Sequence, residues 1–409
     1  MGSNAHTNGE TPPVVIVGGG PAGMMAGVLL ARAGARVTVL EKHADFLRDF
    51  RGDTVHPSTL ELFHQLGWLD ELLQIPHSRI DQIGLRIAGR EMTMVDFRHL
   101  NVAAPYIAMM PQWDLLDFLA DKGRSYPGFD LRMSSEAVGV TTDAEDRVDG
   151  VMLASGEPVP AKLVIAADGR RSVLRNAAQL PLRTIGAPMD VFWFRLDKQP
   201  GVPGESFGSM QAGRFLILID RRDYFQCAYV LPKGGADILR DDGIDGFKDK
   251  LRALAPELTA SIDGLHSWDD VKLLDVALDR LTRWHRPGLL AIGDAAHAMS
   301  PIGGVGINVA VQDAVAMANV LAAPLARGRD PDPLLAEVQS SRWTAVKRMQ
   351  GLQKFAQDRV IEPLLRRTEP IEKPFLPVRL LNRFAVLRRI PGRIVGMGFD
   401  PVRIESPEA

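Results

Sequence analysis

The sequence has a single cysteine, Cys227, among its 409 residues. A lone thiol excludes an intrachain disulfide and any zinc site built from several cysteines, and it favours a reducing compartment. The sequence also lacks an excess of either charge, since 48 Lys and Arg stand against 50 Asp and Glu. Such a balance gives no electrostatic reason to expect nucleic acid as a partner. With 46% apolar and 24% charged residues, the composition is that of a folded globular chain.

A secretory signal is not evident, because the first basic residue is Arg32 and no positively charged region precedes the early apolar stretch. Residues 12–31 are uncharged over a length that could span a membrane. Five glycines and three prolines interrupt this stretch, however, and they favour a strand, a tight turn and a helix over one continuous helix. We therefore expect a cytoplasmic protein in which residues 1–12 form a disordered tail.

The first motif that indicates a chemistry is a glycine-rich turn between a strand and a helix. The β-branched run Val14–Val17 is typical of a buried parallel strand, and Gly18, Gly20 and Gly23 follow it in the spacing G-x-G-x-x-G. Glycines let the backbone approach a pyrophosphate, and the amino terminus of the following helix offers free N–H groups and a positive dipole end. Glu41 ends the next β-rich run, where its carboxylate could bind a ribose. The unit therefore predicts an adenine-dinucleotide site.

Two further motifs place a carboxylate at the end of a strand-like run. Asp294 follows the apolar residues 289–292, and the segment after it, residues 301–308, is rich in glycine. The carboxylate suits a polyol hydroxyl, and the glycines let the backbone lie against a planar ring. A helix beginning there would favour the negative charge of a reduced flavin. Asp168 also ends a strand-like run, and the arginines that follow it could neutralise phosphates.

These three motifs, in this order, resemble those of the group A flavoprotein monooxygenases, the FAD-dependent aromatic hydroxylases with the p-hydroxybenzoate hydroxylase fold. The resemblance runs from Val14 to beyond Leu321. It implies FAD bound in an extended form, NADPH or NADH as a transient co-substrate, and O2 as the oxidant. It further implies that a flavin C4a-hydroperoxide transfers oxygen to an aromatic or otherwise electron-rich substrate, which is hydroxylated or epoxidised.

The resemblance also assigns cofactor contacts by position. It implies that Glu41 holds the adenosine ribose, that Asp294 holds the ribityl chain, and that Asp168 serves both FAD and the pyridine nucleotide. The other implied cofactor positions are the turn at Gly18, Gly20, Ala22 and Gly23, the phosphate-side Arg51, Gln112 beside the FAD chain, Val138 beside the adenine, and the isoalloxazine-facing loop at Pro301, Gly304, Gly306, Ile307 and Asn308. Pro301 is the predicted catalytic residue of that loop. The sequence offers no persuasive nucleophilic triad or metal cluster.

The fold that the resemblance implies is α/β, with a Rossmann-like FAD-binding domain of the glutathione-reductase type interrupted by a second domain. We predict the FAD-binding domain over residues 13–182 and 271–330. The substrate domain, an antiparallel sheet, is predicted over residues 183–270, with a contribution from a hairpin within residues 80–105. Residues 331–409 are expected to form a C-terminal helical region.

Substrate recognition is predicted from one apolar run and a few polar residues. Residues 215–219 are wholly apolar, which favours a neutral or lipophilic substrate such as a phenol, quinone, quinolone or polyketide. A buried core strand would show the same pattern. His56, Arg195 and Tyr224 are the candidate polar groups on the substrate side.

The C-terminal part of the sequence has a basic segment. Residues 378–393 contain five arginines and no acidic residue, and their apolar residues have rough helical spacing. Such a segment could make a weak contact with an anionic membrane and deliver a lipophilic substrate. A helix packed on the protein, with its arginines in water, explains the pattern as well, and we favour this second interpretation.

Other functions are known on the fold that the motifs imply. A flavin-dependent reductase of an unsaturated, prenyl-type substrate would use the same cofactor motifs and stays open as the alternative. Halogenases of this fold carry a Trp-x-Trp-x-Ile-Pro segment, which residues 192–196 do not match. A carrier without FAD would have no reason to retain Glu41, Asp168 and Asp294. The sequence therefore favours an FAD-dependent monooxygenase.

Overall fold

The computed structural model describes residues 13–47, 53–200 and 206–409. The predicted tail at residues 1–12 and the predicted phosphate contact Arg51 lie outside the described residues.

The described strands form five sheets. In chain order the strands are β1 (Val14–Val17), β2 (Val37–Leu40), β3 (Thr54–Val55), β4 (Ser78–Ile80), β5 (Gln82–Ile87), β6 (Arg90–Asp96), β7 (Ile107–Met109), β8 (Phe129–Arg132), β9 (Ala137–Thr142), β10 (Val148–Leu153), β11 (Pro158–Pro160), β12 (Leu163–Ala166), β13 (Leu182–Thr184), β14 (Met189–Asp197), β15 (Phe207–Gln211), β16 (Arg214–Asp220), β17 (Tyr224–Pro232), β18 (Lys272–Leu274), β19 (Asp279–Leu281), β20 (His285–Arg286), β21 (Leu289–Ala291) and β22 (His297–Ala298).

Helices fill the connections between these strands and form most of the C-terminal part. The α-helices are α1 (Pro21–Arg32), α2 (Pro57–Gln65), α3 (Leu69–Leu72), α4 (Gln112–Arg124), α5 (Val173–Ala177), α6 (Ala236–Asp241), α7 (Gly243–Leu254), α8 (Thr259–Asp263), α9 (Gly306–Ala326), α10 (Leu335–Ala356), α11 (Glu362–Leu365), α12 (Leu376–Arg383) and α13 (Arg389–Met397). Short 3₁₀ turns lie at Pro256–Leu258, Trp268–Asp270, Gly293–Ala295, Ile302–Gly304, Asp332–Leu334 and Ala385–Arg388, and a π turn lies at Gln357–Ile361.

The central sheet has six strands in the order β20-β21-β12-β1-β2-β8, and those from β21 to β8 run parallel. Its register places Val14 opposite Leu163 on one side and Val37 on the other. The short apolar runs of β1 and β12 are wholly buried, as strands covered on both faces require. On this sheet α1 packs against β1 and β2, and it also contacts α4 and α9. Because the strands are parallel, their carboxyl ends meet at one edge of the sheet.

A second sheet has seven strands in the order β18-β14-β17-β16-β15-β5-β6. Its neighbouring strands are antiparallel except for β15 and β5. One face packs on α7 and α8 through an aromatic cluster in which Phe192 and Phe194 stand edge-on to Phe247. The hairpin β5–β6 lies at the edge of this sheet, and β18 extends the sheet beyond residue 270. The predicted α/β class with a second, antiparallel sheet is confirmed.

The C-terminal region is helical from α10 to α13, as predicted, but residues 401–409 contain no helix or strand. This segment is hydrogen-bonded to α1 and α9. The amides of Glu405 and Ser406 each donate to Asn319 Oδ1 at 2.9 Å, and the Ala409 amide donates to the carbonyl of Arg32 at 2.9 Å. The end of the described chain is therefore joined to α1 and α9.

One helical stretch of the described chain, Ile302–Ala326, is long and apolar enough by composition to cross a membrane. Within the protein, 72% of its most apolar window is buried. Its main part, α9, packs against α1, α2 and α10. Packing in the core therefore accounts for the apolar character of this helix.

We expect Gly392→Ala in α13 to lower the free energy of unfolding by about 2 kcal/mol through overpacking. A Cβ at Gly392 would lie 2.1 Å from the carbonyl oxygen of Asp96, so the helix must move away from β6. Gly351→Ala in α10 is the matched control, because a Cβ there would meet no atom within 4 Å. The control should gain up to about 1 kcal/mol from helix propensity. Urea unfolding of both variants checks the prediction, and equal gains would contradict it.

Candidate active site

The predicted motifs lie at the carboxyl ends of four neighbouring strands of the central sheet. Gly18 follows β1, Glu41 follows β2, Asp168 lies just after β12, and Asp294 lies just after β21. This edge of an open α/β sheet is where such proteins bind their ligands. Residues that are more than 250 positions apart in the sequence are thereby brought to one site.

Glycine is required where the three motifs touch one another. A Cβ at Gly18, whose φ is +107°, would lie 2.4 Å from the carbonyl oxygen of Ala167. A Cβ at Gly23 would lie 1.9 Å from the carbonyl oxygen of Gly18. A Cβ at Gly293 would lie 3.0 Å from the Cβ of Ala22. The glycine turn thus packs directly against the strand ends that carry Asp168 and Asp294.

Among the described residues, no side chain hydrogen-bonds to the amino terminus of α1. Pro21 stands at the first helical position, the N-cap residue Gly20 has no side chain, and the first turn has no acidic residue. A Cβ at Gly20 would meet no atom within 4 Å, so the space beside the turn is open. The backbone N–H groups and the positive dipole end at this position suit a phosphate group.

Glu41 is buried and is held beside the glycine turn. Its carboxylate accepts hydrogen bonds from the backbone N–H groups of Gly19, at 2.9 Å, and His43, at 3.0 Å. The Ser135 amide donates to the Glu41 carbonyl at 2.8 Å. This contact brings the start of β9, in which the side chain of Val138 is exposed, to the Glu41 end of the turn.

Asp168 and Asp294 lie at the ends of adjacent strands. The Asp168 carboxylate accepts hydrogen bonds from Ser172 Oγ at 2.6 Å and from the Leu174 amide at 3.2 Å, so it holds the start of α5. Asp294 accepts a hydrogen bond from Arg170 Nε at 3.0 Å, and both of these side chains are about one-third exposed. Arg170 therefore connects the two motifs and keeps Asp294 near the surface of the site.

The predicted isoalloxazine-facing loop presents mainly backbone. Pro301 precedes the turn Ile302–Gly304, and both glycines of that turn have left-handed φ values, +79° for Gly303 and +63° for Gly304. Next, α9 begins at Gly306, with Ile307 in a first turn that has neither an acidic residue nor a side-chain cap. A flat ring can lie against such a loop, and the positive end of α9 favours negative charge on that ring.

Asn308, predicted to bind the cofactor, has a buried side chain whose polar atoms are occupied within the protein. Its Oδ1 accepts hydrogen bonds from the His56 amide at 2.8 Å and from Thr59 Oγ1 at 2.7 Å. Its Nδ2 donates to the carbonyl oxygens of Thr54, at 3.2 Å, and Gly304, at 3.4 Å. Asn308 thus joins the segment before α2 to the glycine loop, and its backbone is left for contact with a ligand.

His56, predicted on the substrate side, lies in the packed layer behind the glycine loop. It is fully buried, its Nδ1 donates to the carbonyl oxygen of Val395 in α13 at 2.7 Å, and its Nε2 has no partner among the described residues. A Cβ at Gly304 would lie 3.5 Å from that Nε2. Burial lowers the pKa of His56 to about 4, so the ring is neutral at pH 7.

Arg195 and Tyr224, the other predicted substrate-side residues, are next to each other on the antiparallel sheet. The Arg195 guanidinium lies 4.2 Å from the centroid of the Tyr224 ring, and Arg195 Nε donates to Asp197 Oδ1 at 2.8 Å. The Arg195 side chain is 48% exposed. The structure therefore brings two of the three predicted polar groups together at the exposed end of the sheet and places His56 elsewhere.

The apolar run at residues 215–219 is divided between the two faces of its strand, because side chains alternate along a strand. Leu216 and Leu218 enter the aromatic core. Ile217 lies on the opposite face, in a row with Ala228 and Trp193 of the neighbouring strands. The same apolar cluster includes Ile302 of the glycine loop. The sheet face and the loop that carries Pro301 thus pack against the same apolar cluster, which also contains Ile361, Leu364 and Leu365.

Sequence reasoning missed a buried ion pair that joins the start of α4 to the turn between β16 and β17. Asp53 and Arg221 form a salt bridge with side chains that are each only 5% exposed. Arg221 Nε and Nη2 also donate to Gln226 Oε1, at 3.0 and 2.9 Å. The amide of Gln112, a predicted FAD contact at the start of α4, donates to Asp53 Oδ1 at 3.3 Å. Since Arg221 lies in a charged hairpin turn, nothing in the sequence distinguishes it from a solvated residue.

Burial has a larger effect on the pKa values of these two residues than their mutual attraction has. Burial raises the pKa of Asp53, although Arg221 and the Gln112 amide oppose the change. It also lowers the pKa of Arg221, although Asp53 opposes that change. Nη1 of Arg221 is buried without a partner among the described residues. The pair therefore places a strong hydrogen-bond donor between the predicted FAD chain contact and the sheet face.

The residues present fit FAD. The open helix end at Gly20 suits its pyrophosphate, the buried Glu41 suits a ribose, and the side-chain-free turn at Ile302–Gly304 suits a flat ring. In accordance with this geometry, the sequence profile of the family described as "FAD binding domain" matches residues 11–351. The chain therefore belongs to this family, the group A FAD-dependent aromatic hydroxylases, and it is a flavoprotein monooxygenase.

Individual relatives and a solved structure are similar to this chain. The chain is 34% identical to the 6-methylpretetramide 4-monooxygenase of Streptomyces rimosus over 85% of this chain and 83% of that protein. It is 27% identical to the dialkyldecalin synthase of Streptomyces rugosporus over 81% of this chain and 69% of that protein. PqsL, a probable FAD-dependent monooxygenase of Pseudomonas aeruginosa, has a similar solved structure, with a TM-score of 0.75, 21% identity, and coverage of 87% of this chain and 98% of PqsL.

The buried His56 predicts a measurable pH dependence of stability. Its pKa of about 4 in the folded protein lies below the unfolded value of about 6.5, so the unfolded state binds more protons between these values and stability falls as pH falls. His56→Asn keeps a donor for Val395 but does not titrate. We expect the wild-type protein to lose about 3 kcal/mol more than this variant between pH 7 and pH 4.

Urea unfolding at several pH values measures this difference. The control is His64→Asn, which replaces an exposed histidine of α2 and should keep the wild-type dependence. An identical pH dependence of wild type and His56→Asn would show that the ring is protonated as easily in the folded protein as in the unfolded chain.

Proposed function

We propose that this monooxygenase oxygenates a neutral, lipophilic aromatic or otherwise electron-rich substrate, with NADPH or NADH as the reductant. The observation that supports the substrate class is the apolar sheet face at Trp193, Ala228 and Ile217, which shares an apolar cluster with Ile302 of the loop carrying Pro301. FAD, once bound and reduced, supplies the electrons that activate O2 for transfer to the substrate.

The residues of this chain would bind the cofactor along the edge of the central sheet. Glu41 and Val138 would contact the adenosine. The amino terminus of α1 would bind the pyrophosphate. Gln112 and Asp294 would contact the chain that leads to the ring. The loop at Pro301 would place the ring against the sheet face. Asp168 and its arginines, at the exposed side of the same edge, would receive the pyridine nucleotide.

The remaining work of the protein is to exclude water and to place the substrate. Half-buried apolar side chains such as Ile217 would hold an aromatic ring against the loop. The Arg195–Tyr224 pair would form the polar end of this substrate site. The name of the Streptomyces rimosus relative gives 6-methylpretetramide as its substrate, which supports the choice of a polycyclic aromatic compound as the first substrate to test.

Oxygen uptake by the purified protein, with NADPH or NADH and a panel of phenols, quinones, quinolones and polycyclic polyketides, tests the proposal. We expect one compound to stimulate uptake, with little peroxide released and one atom of labelled O2 in the product. Oxidation of the reductant without O2, coupled to saturation of an alkene, would instead establish the reductase alternative. Conversion without a reductant would establish a cyclisation like that implied by the name dialkyldecalin synthase.

A pair of variants connects this activity to the sheet face. Ile217→Lys should lower the substrate-dependent uptake by about tenfold or more, because an unpaired ammonium group would be buried beside the substrate. Its FAD content should not change. Leu273→Lys, on the exposed edge strand β18, is the control and should behave like wild type. Equal activity of the two variants would remove the sheet face from substrate binding.

We further propose that this cytoplasmic enzyme makes a weak contact with anionic membranes through α12, α13 and the turn between them. Residues 376–397 contain no acidic residue. Leu376, Phe384, Val386 and Ile390 are between 51% and 64% exposed on this surface. The exposed arginines of the same segment are Arg379, Arg383, Arg389 and Arg393. Exposed apolar side chains flanked by arginines match the interface of an anionic bilayer.

Sedimentation with phosphatidylglycerol-containing vesicles tests this contact. Each arginine near such a surface contributes about 1 kcal/mol, so changing Arg379, Arg383, Arg389 and Arg393 to Gln should lower the bound fraction, with partitioning reduced on the order of a thousandfold. The charge-matched control changes Arg124, Lys272, Arg327 and Arg329, exposed elsewhere, to Gln. Equal binding of both variants, or equal binding to neutral phosphatidylcholine vesicles, would contradict the proposal.

A further inference from the structure

A cluster of buried charged groups lies behind the cofactor loop, centred on Asp313 of α9. Asp313, His297 and Arg342 have side chains that are at most 1% exposed. The Asp313 carboxylate accepts three hydrogen bonds, from His297 Nε2 at 2.5 Å, from Arg342 Nε at 3.0 Å and from the backbone amide of Gly293 at 3.1 Å. No side chain of this cluster reaches the surface of the site.

Each element that meets at Asp313 carries part of the candidate cofactor site. Gly293 immediately precedes Asp294, and His297 lies four residues before Pro301. Arg342 belongs to α10, whose Gln353 Nε2 donates to the carbonyl oxygens of Ser300 and Ile302, each at 2.9 Å. Asp313 itself lies in α9, whose first turn follows the glycine loop. One carboxylate is therefore the common point of the strand end, the loop and both helices.

Gly293 is the position where this cluster touches the cofactor motif. Its φ is +59°, and a Cβ there would lie 3.0 Å from the Cβ of Ala22 and 3.1 Å from the Cβ of Ala310. The turn is thus enclosed between α1 and α9. The hydrogen bond from its amide to Asp313 fixes the orientation of the peptide that leads into Asp294.

The neighbours of Asp313 favour the charged form of its carboxylate. Burial alone would raise the pKa of Asp313, but the charges and hydrogen bonds of His297 and Arg342 hold it below its usual range. A buried ion pair of this kind adds little stability compared with apolar residues of the same volume. A role in geometry explains better why a carboxylate stands at this position.

We infer that Asp313 is a positioning residue for FAD: its carboxylate, through the Gly293 amide, sets the position of Asp294 relative to the glycine turn of α1. This inference rests on the proposed role of Asp294 in holding the FAD chain. Asp313 does not touch the cofactor, so its loss should weaken the binding of FAD rather than remove a reacting group.

The dissociation constant of FAD, measured by titrating the apoprotein and following flavin fluorescence, tests the inference without any activity assay. Asp313→Asn should raise the constant by about tenfold or more, the loss expected for a charge-assisted hydrogen bond. The double variant Asp313→Leu/Arg342→Met removes the buried pair together and should recover most of the thermal stability. Its FAD affinity should stay lowered, because leucine offers the Gly293 amide no acceptor.

Asp190 provides a matched control in the antiparallel sheet. Its buried carboxylate accepts hydrogen bonds from Lys233 Nζ at 2.8 Å and from the amides of Gly234, at 3.0 Å, and Val276, at 3.1 Å. Asp190→Asn should therefore destabilise the protein to a similar extent and leave the FAD dissociation constant unchanged. The visible circular dichroism of the bound flavin should change in both Asp313 variants and not in this control.

The outcomes separate the inference from the proposed function. Wild-type FAD affinity in the double variant, or an equal loss of affinity in Asp190→Asn, would overturn the positioning role. Failure of the wild-type protein itself to bind FAD would overturn the cofactor assignment as well. A raised FAD dissociation constant in both Asp313 variants, with no change in Asp190→Asn, would establish the positioning role of Asp313.

Discussion

The structure depends on one close backbone approach, the contact of the β1–α1 turn with the ends of the neighbouring strands. Gly18 and Gly23 have no room for a Cβ, since the carbonyl oxygens of Ala167 and Gly18 would lie 2.4 and 1.9 Å away. With a side chain at either position, α1 could not begin at the edge of the sheet. Its positive end, the open space at Gly20 and the approach of Asp168 and Asp294 all follow from this contact.

Buried carboxylates hold the segments that the sheet by itself does not fix. Asp53 connects the start of α4 to Arg221 of the antiparallel sheet, and Asp313 connects the Gly293 turn to α9 and α10. Both carboxylates accept a backbone amide as well as an arginine. A pair of this kind costs desolvation and is not a strong source of stability. Its directional hydrogen bonds are what make the loops around a cofactor adopt one geometry.

Much of the fold and of the cofactor edge could be predicted from local sequence. Wholly apolar runs such as Val14–Val17 predict parallel strands, because only strands covered on both faces are apolar throughout. Glycine spacing predicts the turn at Gly18 because few other residues permit that backbone. Local sequence does not predict which side chains of residues 215–219 face the core. Only the pairing of β16 with β17 showed that Ile217 lies on the site face while Leu216 and Leu218 lie in the core.

The class of this protein can be predicted from short stretches of sequence, because the strand–turn–helix unit, the carboxylates at strand ends and the glycine loop each depend on neighbouring residues. Which polar side chains hydrogen-bond within the protein, and are therefore not free for a ligand, is visible only in the folded structure. Asn308 and His56, both predicted to face a ligand, join loops instead, and Arg221 in an ordinary charged turn became a buried donor. Burial and hydrogen bonding between distant segments decide these roles, and short sequence patterns do not record them.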